Sequence, residues 1–310
     1  ITKRLASLGT QFSQNILKDE SDYELVLEQE SDLDGLPDFL VSAAAATAKE
    51  RSHEGKHVIT LSRSLIEPFL QFSTRRDLRE QAFKAWIARG ENGGETDNRE
   101  IIAETLRLRE ERANLLGFKT FADFKLDDQM AKTPEAVREL LNKVWEPAKL
   151  RATEEAAKLQ SLANSEGANF DIAAWDWRHY SEKVRNAEHD LDEAELKPYL
   201  QLDKMIEAAF ATAGKLFGLT FQELEGMPKY HDDIRVFEVT DAGGEHVAVF
   251  IGDYFARSSK RSGAWMSNFR SQQKLNGNIR PIIVNVMNFA KAQEDEATLL
   301  TIDDARTLYH

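Results

Sequence analysis

No cysteine occurs in the 310 residues. That absence excludes disulfide staples and thiolate metal sites, and it fits a reducing compartment, so a cytoplasmic location is expected. Proline is scarce, at 7 residues. No apolar run approaches the roughly 18 to 20 residues that span a bilayer, and the first segment has no hydrophobic signal core, so no membrane association is expected. Positive charge is in deficit, with 40 Lys and Arg against 53 Asp and Glu and a net charge of −13. Such a surface opposes a phosphate backbone and excludes nucleic acid as the main partner. What is present is 42% hydrophobic residues, enough for a sizeable core in one large or two modest domains. No internal repeat or low-complexity linker divides the chain. Its texture shifts near Gly226, so a helical region over 1–226 and a sheet-containing region over 227–310 are expected.

Helical periodicity dominates the first region. Leu5, Leu8, Phe12, Ile16 and Leu17 share one side of a helix starting at Ile1, and the alanine-rich run from Phe39 to Lys49 is a strong helix former. From Ser64 the chain is expected to be helical for more than 150 residues. Ser64 with Glu67 has the pattern of a capping box, and helices are expected over Arg75–Arg89 and Asp97–Leu116, each closed by a glycine. Thr133 and Pro134 suit the N-cap and first position of a helix running to about Asn164, with Pro147 as a kink. Trp175 and Trp177 are expected as anchors in the core, and a helix from Met205 should stop at Gly218. Strands are expected at Glu24–Glu28 and Val58–Leu61. Beyond Gly226, Asp233–Val239 and Glu245–Ile251 alternate around the hairpin signal Asp241-Ala242-Gly243-Gly244. Gly263–Met266 and Pro281–Val286 follow as two more strands of a small antiparallel sheet, with Ser258–Gly263 as a basic, flexible loop between.

Several clusters imitate metal sites. Glu30, Asp32, Asp34 and Gly35 match the early positions of a calcium loop, but Val41 stands where a bidentate acid is needed, so a polar turn is expected. His53-Glu54-Gly55-Lys56-His57 satisfies H-E-x-x-H literally, with Asp77 and Glu80 as third-ligand candidates. Zinc requires both imidazoles on one helical face. Gly55 inside the motif and the β-branched run after His57 predict a turn and strand instead. His179 and His189 stand ten residues apart, and both are expected to be structural. His231 with Asp232 and Asp233 is expected to be a solvated turn.

The last stretch, Thr301 to His310, is a helix start of unusual clarity. Thr301 and Asp304 form a capping box, and Asp303 and Asp304 put negative charge at the positive helix end. Ile302, Ala305, Leu308 and Tyr309 share a face, and no stop signal follows. The chain also opens on Ile1 rather than Met, so both ends are expected to be cuts in a longer polypeptide. Leu299-Leu300-x-Ile302-Asp303-Asp304-Ala305-Arg306-Thr307-Leu308-Tyr309-His310 resembles the entry to the zinc helix of the thimet-oligopeptidase family of metallopeptidases, in its bacterial peptidyl-dipeptidase (dipeptidyl carboxypeptidase) branch. Thr10-Gln11-Phe12, Asn98 to Ile102, Leu115 to Phe118, Asp128 to Ala136, Trp175 to Tyr180 and Asp190 to Tyr199 carry the same resemblance along essentially the whole chain.

The resemblance implies a mainly α, long-helix zincin-type (neurolysin-like) segment, with the helices forming a cleft wall. It implies that His310 is a zinc ligand in the full enzyme, opening an H-E-x-x-H motif whose other residues are absent here. It places His53 in a hairpin remote from the zinc helix. In the intact enzyme zinc and the motif's Glu would activate water on a peptide carbonyl. Short peptides are the implied substrates, with release of C-terminal dipeptides, by a monomer. Gly263, Ala264, Trp265 and Met266 are the candidate strand for pairing with an extended substrate. This chain alone is expected to hold little or no zinc and to be inactive. The competing readings are a helical scaffold that binds peptide without cutting it, and a metallohydrolase built on His53 and His57.

Overall fold

The computed structural model describes residues 1–189, 193–257, 259–292 and 296–310. In chain order the elements are α1 (Thr2–Asp22), β1 (Leu25–Leu27), α2 (Asp38–Glu50), β2 (His57–Ile59), α3 (Arg63–Phe72), α4 (Arg76–Ile87), α5 (Arg99–Leu115), α6 (Phe121–Leu126), α7 (Pro134–Ser165) and α8 (Trp177–His189). There follow α9 (Glu193–Leu196), α10 (Leu202–Phe217), β3 (Thr220–Glu223), β4 (Arg235–Thr240), β5 (His246–Phe255), β6 (Trp265–Arg270), β7 (Ile282–Phe289) and α11 (Ile302–Tyr309). The fold is mainly α, as the helical periodicity implies. The chain forms two compact units, each discontinuous: 1–23 with 76–188, and 24–75 with 189–310. The change of texture near Gly226 falls inside the second unit, because compactness follows contacts and not local composition.

The first unit is helical. Leu8 of α1 packs with Ile101 and Leu108 of α5, and Leu159 and Ala163 of α7 pack with Tyr180 of α8. Thr133 caps α7 by accepting a hydrogen bond from the Ala136 amide at 3.2 Å, and the helix runs unbroken through Pro147. Between α7 and α8 the chain is pinned by Asp176, whose carboxylate is fully buried and accepts Arg76 Nη2 at 2.9 Å and Arg79 Nη2 at 2.8 Å. Trp177 is exposed, contrary to the expectation of two core anchors. Trp175 is only half-buried, with its ring 6.4 Å from that of Phe83, while Asp176 between them takes the interior position because two guanidiniums satisfy it there.

The second unit holds a two-stranded ribbon, β1 with β2, and a five-stranded sheet in the order β3-β4-β5-β7-β6. That sheet is larger than expected and mixed: β5 and β7 run parallel, while the other pairs are antiparallel. The parallel pair arises because the chain leaves β5, crosses to the far edge to form β6, and returns as β7 between them. Gly218 ends α10 in the left-handed region at φ 68, where a glycine meets no Cβ penalty, and its amide donates to Gly214 O at 2.8 Å. The cap of α3 is Ser62 rather than Ser64. The Ser64 hydroxyl instead donates to the Asn288 carbonyl of β7 at 2.8 Å, satisfying a backbone acceptor near the end of β7.

Candidate functional site

The helix bearing His310 is built as its sequence specifies. The Thr301 hydroxyl accepts the Asp304 amide at 2.9 Å, and the Asp304 carboxylate accepts the Thr301 amide at 3.1 Å, so two otherwise orphaned donors are satisfied reciprocally. Burial pushes the Asp304 carboxyl above its ordinary pKa. Ala305 and Leu308 are buried, and Leu308 joins a core cluster with Met287 and Phe289 of β7, Tyr254 of β5, and Leu202 and Ile206 of α10. Burying such a leucine contributes about 1.5–3 kcal/mol, which fixes the helix on the sheet. The strand-like segment ahead of the helix is held by Leu202 N to Thr298 O at 2.9 Å and Leu300 N to Leu200 O at 2.8 Å. Tyr309 is part of the wall of an apolar groove of about 410 Å³ with Leu196, Tyr199, Leu200, Met205 and Ile302. His310 follows the helix and is exposed.

The candidate substrate strand lies in the same unit. Trp265 and Met266 open β6, with Gly263 and Ala264 just before it. β6 pairs with β7 only, from Trp265 opposite Val286 to Arg270 opposite Ile282, so its outer edge is unpaired among the described residues. Met266 to Arg270 are exposed. An unpaired row of N–H and C=O groups is a template for an added strand, and Arg270 together with the register shift at Asn268/Arg270 guards it against another sheet edge. Both the His310 helix and β6 therefore rest on β7, one through side-chain packing and one through backbone pairing.

The connection from β5 to β6, expected to be flexible, is fastened; Ser258 within it lies outside the described residues. Asp253 of β5 is 1% exposed. Its carboxylate accepts Arg257 Nη1 at 2.7 Å and Nη2 at 2.8 Å, Lys260 Nζ at 3.0 Å, and the Tyr230 hydroxyl at 3.0 Å. Burial opposes the Asp253 charge, and the bonds from Arg257 and Lys260 outweigh it, leaving the carboxyl below the usual aspartate pKa. Burial pulls the Lys260 ammonium down to about 8 against its bonds to Asp253, and burial beside Asp253 pushes the Tyr230 phenol up to about 12. The sequence reading missed this cluster. Its one legible signal was Asp253-x-x-x-Arg257-x-x-Lys260 at the end of an apolar strand.

The decoys resolve as turns. His53 Nε2 lies 2.7 Å from Glu24 and His57 is already in β2, so the two imidazoles of the literal H-E-x-x-H share no helical face. Asp32 caps a short 3₁₀ turn by accepting the Glu28 and Gln29 amides at 3.0 Å each. His231 sits in a turn and accepts the Asp233 amide at 3.3 Å. His179 is buried beside Tyr180. The side chain of His189 and residues 190–192 of the Asp190–Tyr199 stretch lie outside the described residues. No group of three or more metal-ligating side chains occurs among the described residues.

An exposed histidine thus follows a capped helix that packs on a sheet with an open edge strand among the described residues. Residues 69–310 match Peptidase family M3. The chain belongs to that family. Among curated M3 relatives, dipeptidyl carboxypeptidase of Escherichia coli is 40% identical over 306 residues, covering 98% of this chain and 45% of the relative. Oligopeptidase A of Escherichia coli is 31% identical over 316 residues, covering 100% of this chain and 46% of the relative. Saccharolysin of Saccharomyces cerevisiae is 25% identical over 326 residues. The chain thus spans somewhat less than half the length of the M3 relatives it matches. Among the described residues no helix is long and apolar enough to cross a membrane.

Proposed function

We propose that this chain is the part of a zinc-dependent M3 oligopeptidase that presents the substrate edge and the first metal ligand, and that the whole protein releases C-terminal dipeptides from short peptides. The observation that carries the reading is the alignment of 98% of the chain at 40% identity with a dipeptidyl carboxypeptidase. The preformed open edge of β6 and the α11 helix on the same sheet support it. His310 offers one imidazole donor of the kind zinc accepts. A single ligand cannot impose tetrahedral geometry, and among the described residues no group of three or more metal-ligating side chains accompanies His310, so in this reading the zinc site is assembled only in the whole protein. Polarisation of water and attack on the peptide carbonyl therefore belong to the whole protein. What this chain contributes is alignment: backbone groups of β6, with Trp265 and Met266 at its start, hold the peptide extended. The lack of cysteine supports a cytoplasmic setting, and a monomer suffices for this role.

The test is steady-state cleavage of an internally quenched pentapeptide by the whole protein, with His310→Ala and with chelator. Activity lost in both, with dipeptides as products, is the expected result. Peptide binding that persists without metal, and no cleavage in any metal, would favour the scaffold reading.

A further inference from the structure

Because β7 lies between β5 and β6, the chain leaving Phe255 must cross the end of β7 before β6 can start. β6 itself has little to fix its register. A strand with one buried face is locked because a one-residue slip turns its apolar set to water. Met266 to Arg270 are all exposed, and none belongs to the core cluster under the sheet. Besides the register shift at Asn268/Arg270 and the Arg270 Nε bond to Arg280 O at 2.7 Å, what fixes the register is the crossing.

We propose that Asp253 and Lys260 are positioning residues for peptide binding, fastening the β5–β6 crossing so that β6 keeps one register and an open outer edge. This rests on the reading of β6 as the substrate edge. The three protons of the Lys260 ammonium match three acceptors at the end of β5: Asp253 Oδ1 at 3.0 Å, Asp253 O at 3.1 Å and Phe255 O at 2.6 Å. Lys260 is thereby folded back onto the strand the chain has just left. Arg257 closes the other side of the same carboxylate. A second fastening sits at the end of β7, where Asn288 Nδ2 donates to Arg261 O at 3.0 Å and to Gly263 O at 2.5 Å. A third reaches the far end of β6: the Tyr230 hydroxyl donates to Asp253, and the Tyr230 ring meets Phe269 of β6 edge-on at 6.2 Å. A buried ion pair is a weak device for stability, since apolar residues of similar volume do as well, and in some proteins its role is to specify one geometry. Here the geometry specified is the entry into an edge strand that must accept a peptide in only one frame.

The experiment uses the whole protein and the variants Lys260→Met and Asn288→Ala, the second of which leaves the buried charges intact. Amide exchange is followed on β4 and β6, and KM and kcat are measured on an internally quenched pentapeptide. The expected result is unchanged exchange on β4, exchange on β6 at least tenfold faster, and KM raised about tenfold with kcat within about twofold. Wild-type β6 exchange and KM in both variants would overturn the proposal, as would a fall in kcat with KM unchanged. Failure of the substrate-edge reading has a separate signature: peptide added to the wild-type protein would leave β6 exchange unaltered, while the variants would still show faster β6 exchange.

Discussion

Glu24 accepts Arg51 Nη1 at 3.0 Å and meets His53 Nε2 at 2.7 Å, and these bonds, Arg51 first, hold its carboxyl below the usual glutamate pKa. The first histidine of the literal zinc motif is thus already engaged in tying a turn to the residue preceding β1. Gly55 and the β-branched run after His57 made that outcome legible. The Asp253 cluster was legible only in the local spacing of Asp253, Arg257 and Lys260, because its third donor, Tyr230, comes from a position 23 residues away that no local pattern announces. Lys260 carries a pH signature with a defined sign. Its folded pKa of about 8 lies below the ordinary lysine value of 10.5, so between those values the unfolded chain holds a proton that the folded chain has released. Stability contributed by this group therefore rises as pH climbs from about 8 to about 10.5. Urea midpoints of the wild type and Lys260→Met, compared at pH 7.5 and pH 10, should show the wild type gaining relative to the variant. Parallel midpoints across that window would show that Lys260 does not titrate there.

Elements divide into those with an internal reason and those with only an external one. α11 has its reason in sequence, the reciprocal bonds of Thr301 and Asp304. Thr301→Ala should cost about 1 kcal/mol of local stability, read as faster amide exchange at Ala305 and Leu308. Unchanged exchange would mean that packing of Leu308 alone holds the helix. β3 has only an external reason: Thr220–Glu223 is short, largely exposed and without alternation, and it is a strand because β4 pairs with it. The link between α7 and α8 is held by Gln160 of α7, which bonds the Phe170 carbonyl and the Ile172 amide, and by one fully buried carboxylate. Asp176→Ala leaves Arg76 and Arg79 facing a cavity instead of a charge, and a loss of about 3–5 kcal/mol is expected. The measurement is urea denaturation with exchange on α4 and α8. A loss below about 1 kcal/mol would show that the guanidiniums find other acceptors.

For the molecule as a whole, the family is established while the activity is proposed, since the chain covers 45% of its dipeptidyl carboxypeptidase relative. Zinc stoichiometry separates the two statements. The purified 310-residue chain, its mass confirmed, is expected to hold essentially no zinc, and the whole protein about one per chain, lowered by His310→Ala. One zinc on the 310-residue chain would return attention to His53 and His57. Sequence alone determined the helical content, most element starts and stops, the turn at His53 and the kinship, because capping, glycine stops, β-branching and apolar period act over a few residues. Only tertiary structure decided the two discontinuous units, the parallel pairing of β5 with β7, the exposure of Trp177 and the fastening of the β5–β6 crossing. Those depend on which distant groups come to share a buried space, where an acceptor such as Asp253 must find its donors whatever their separation along the chain.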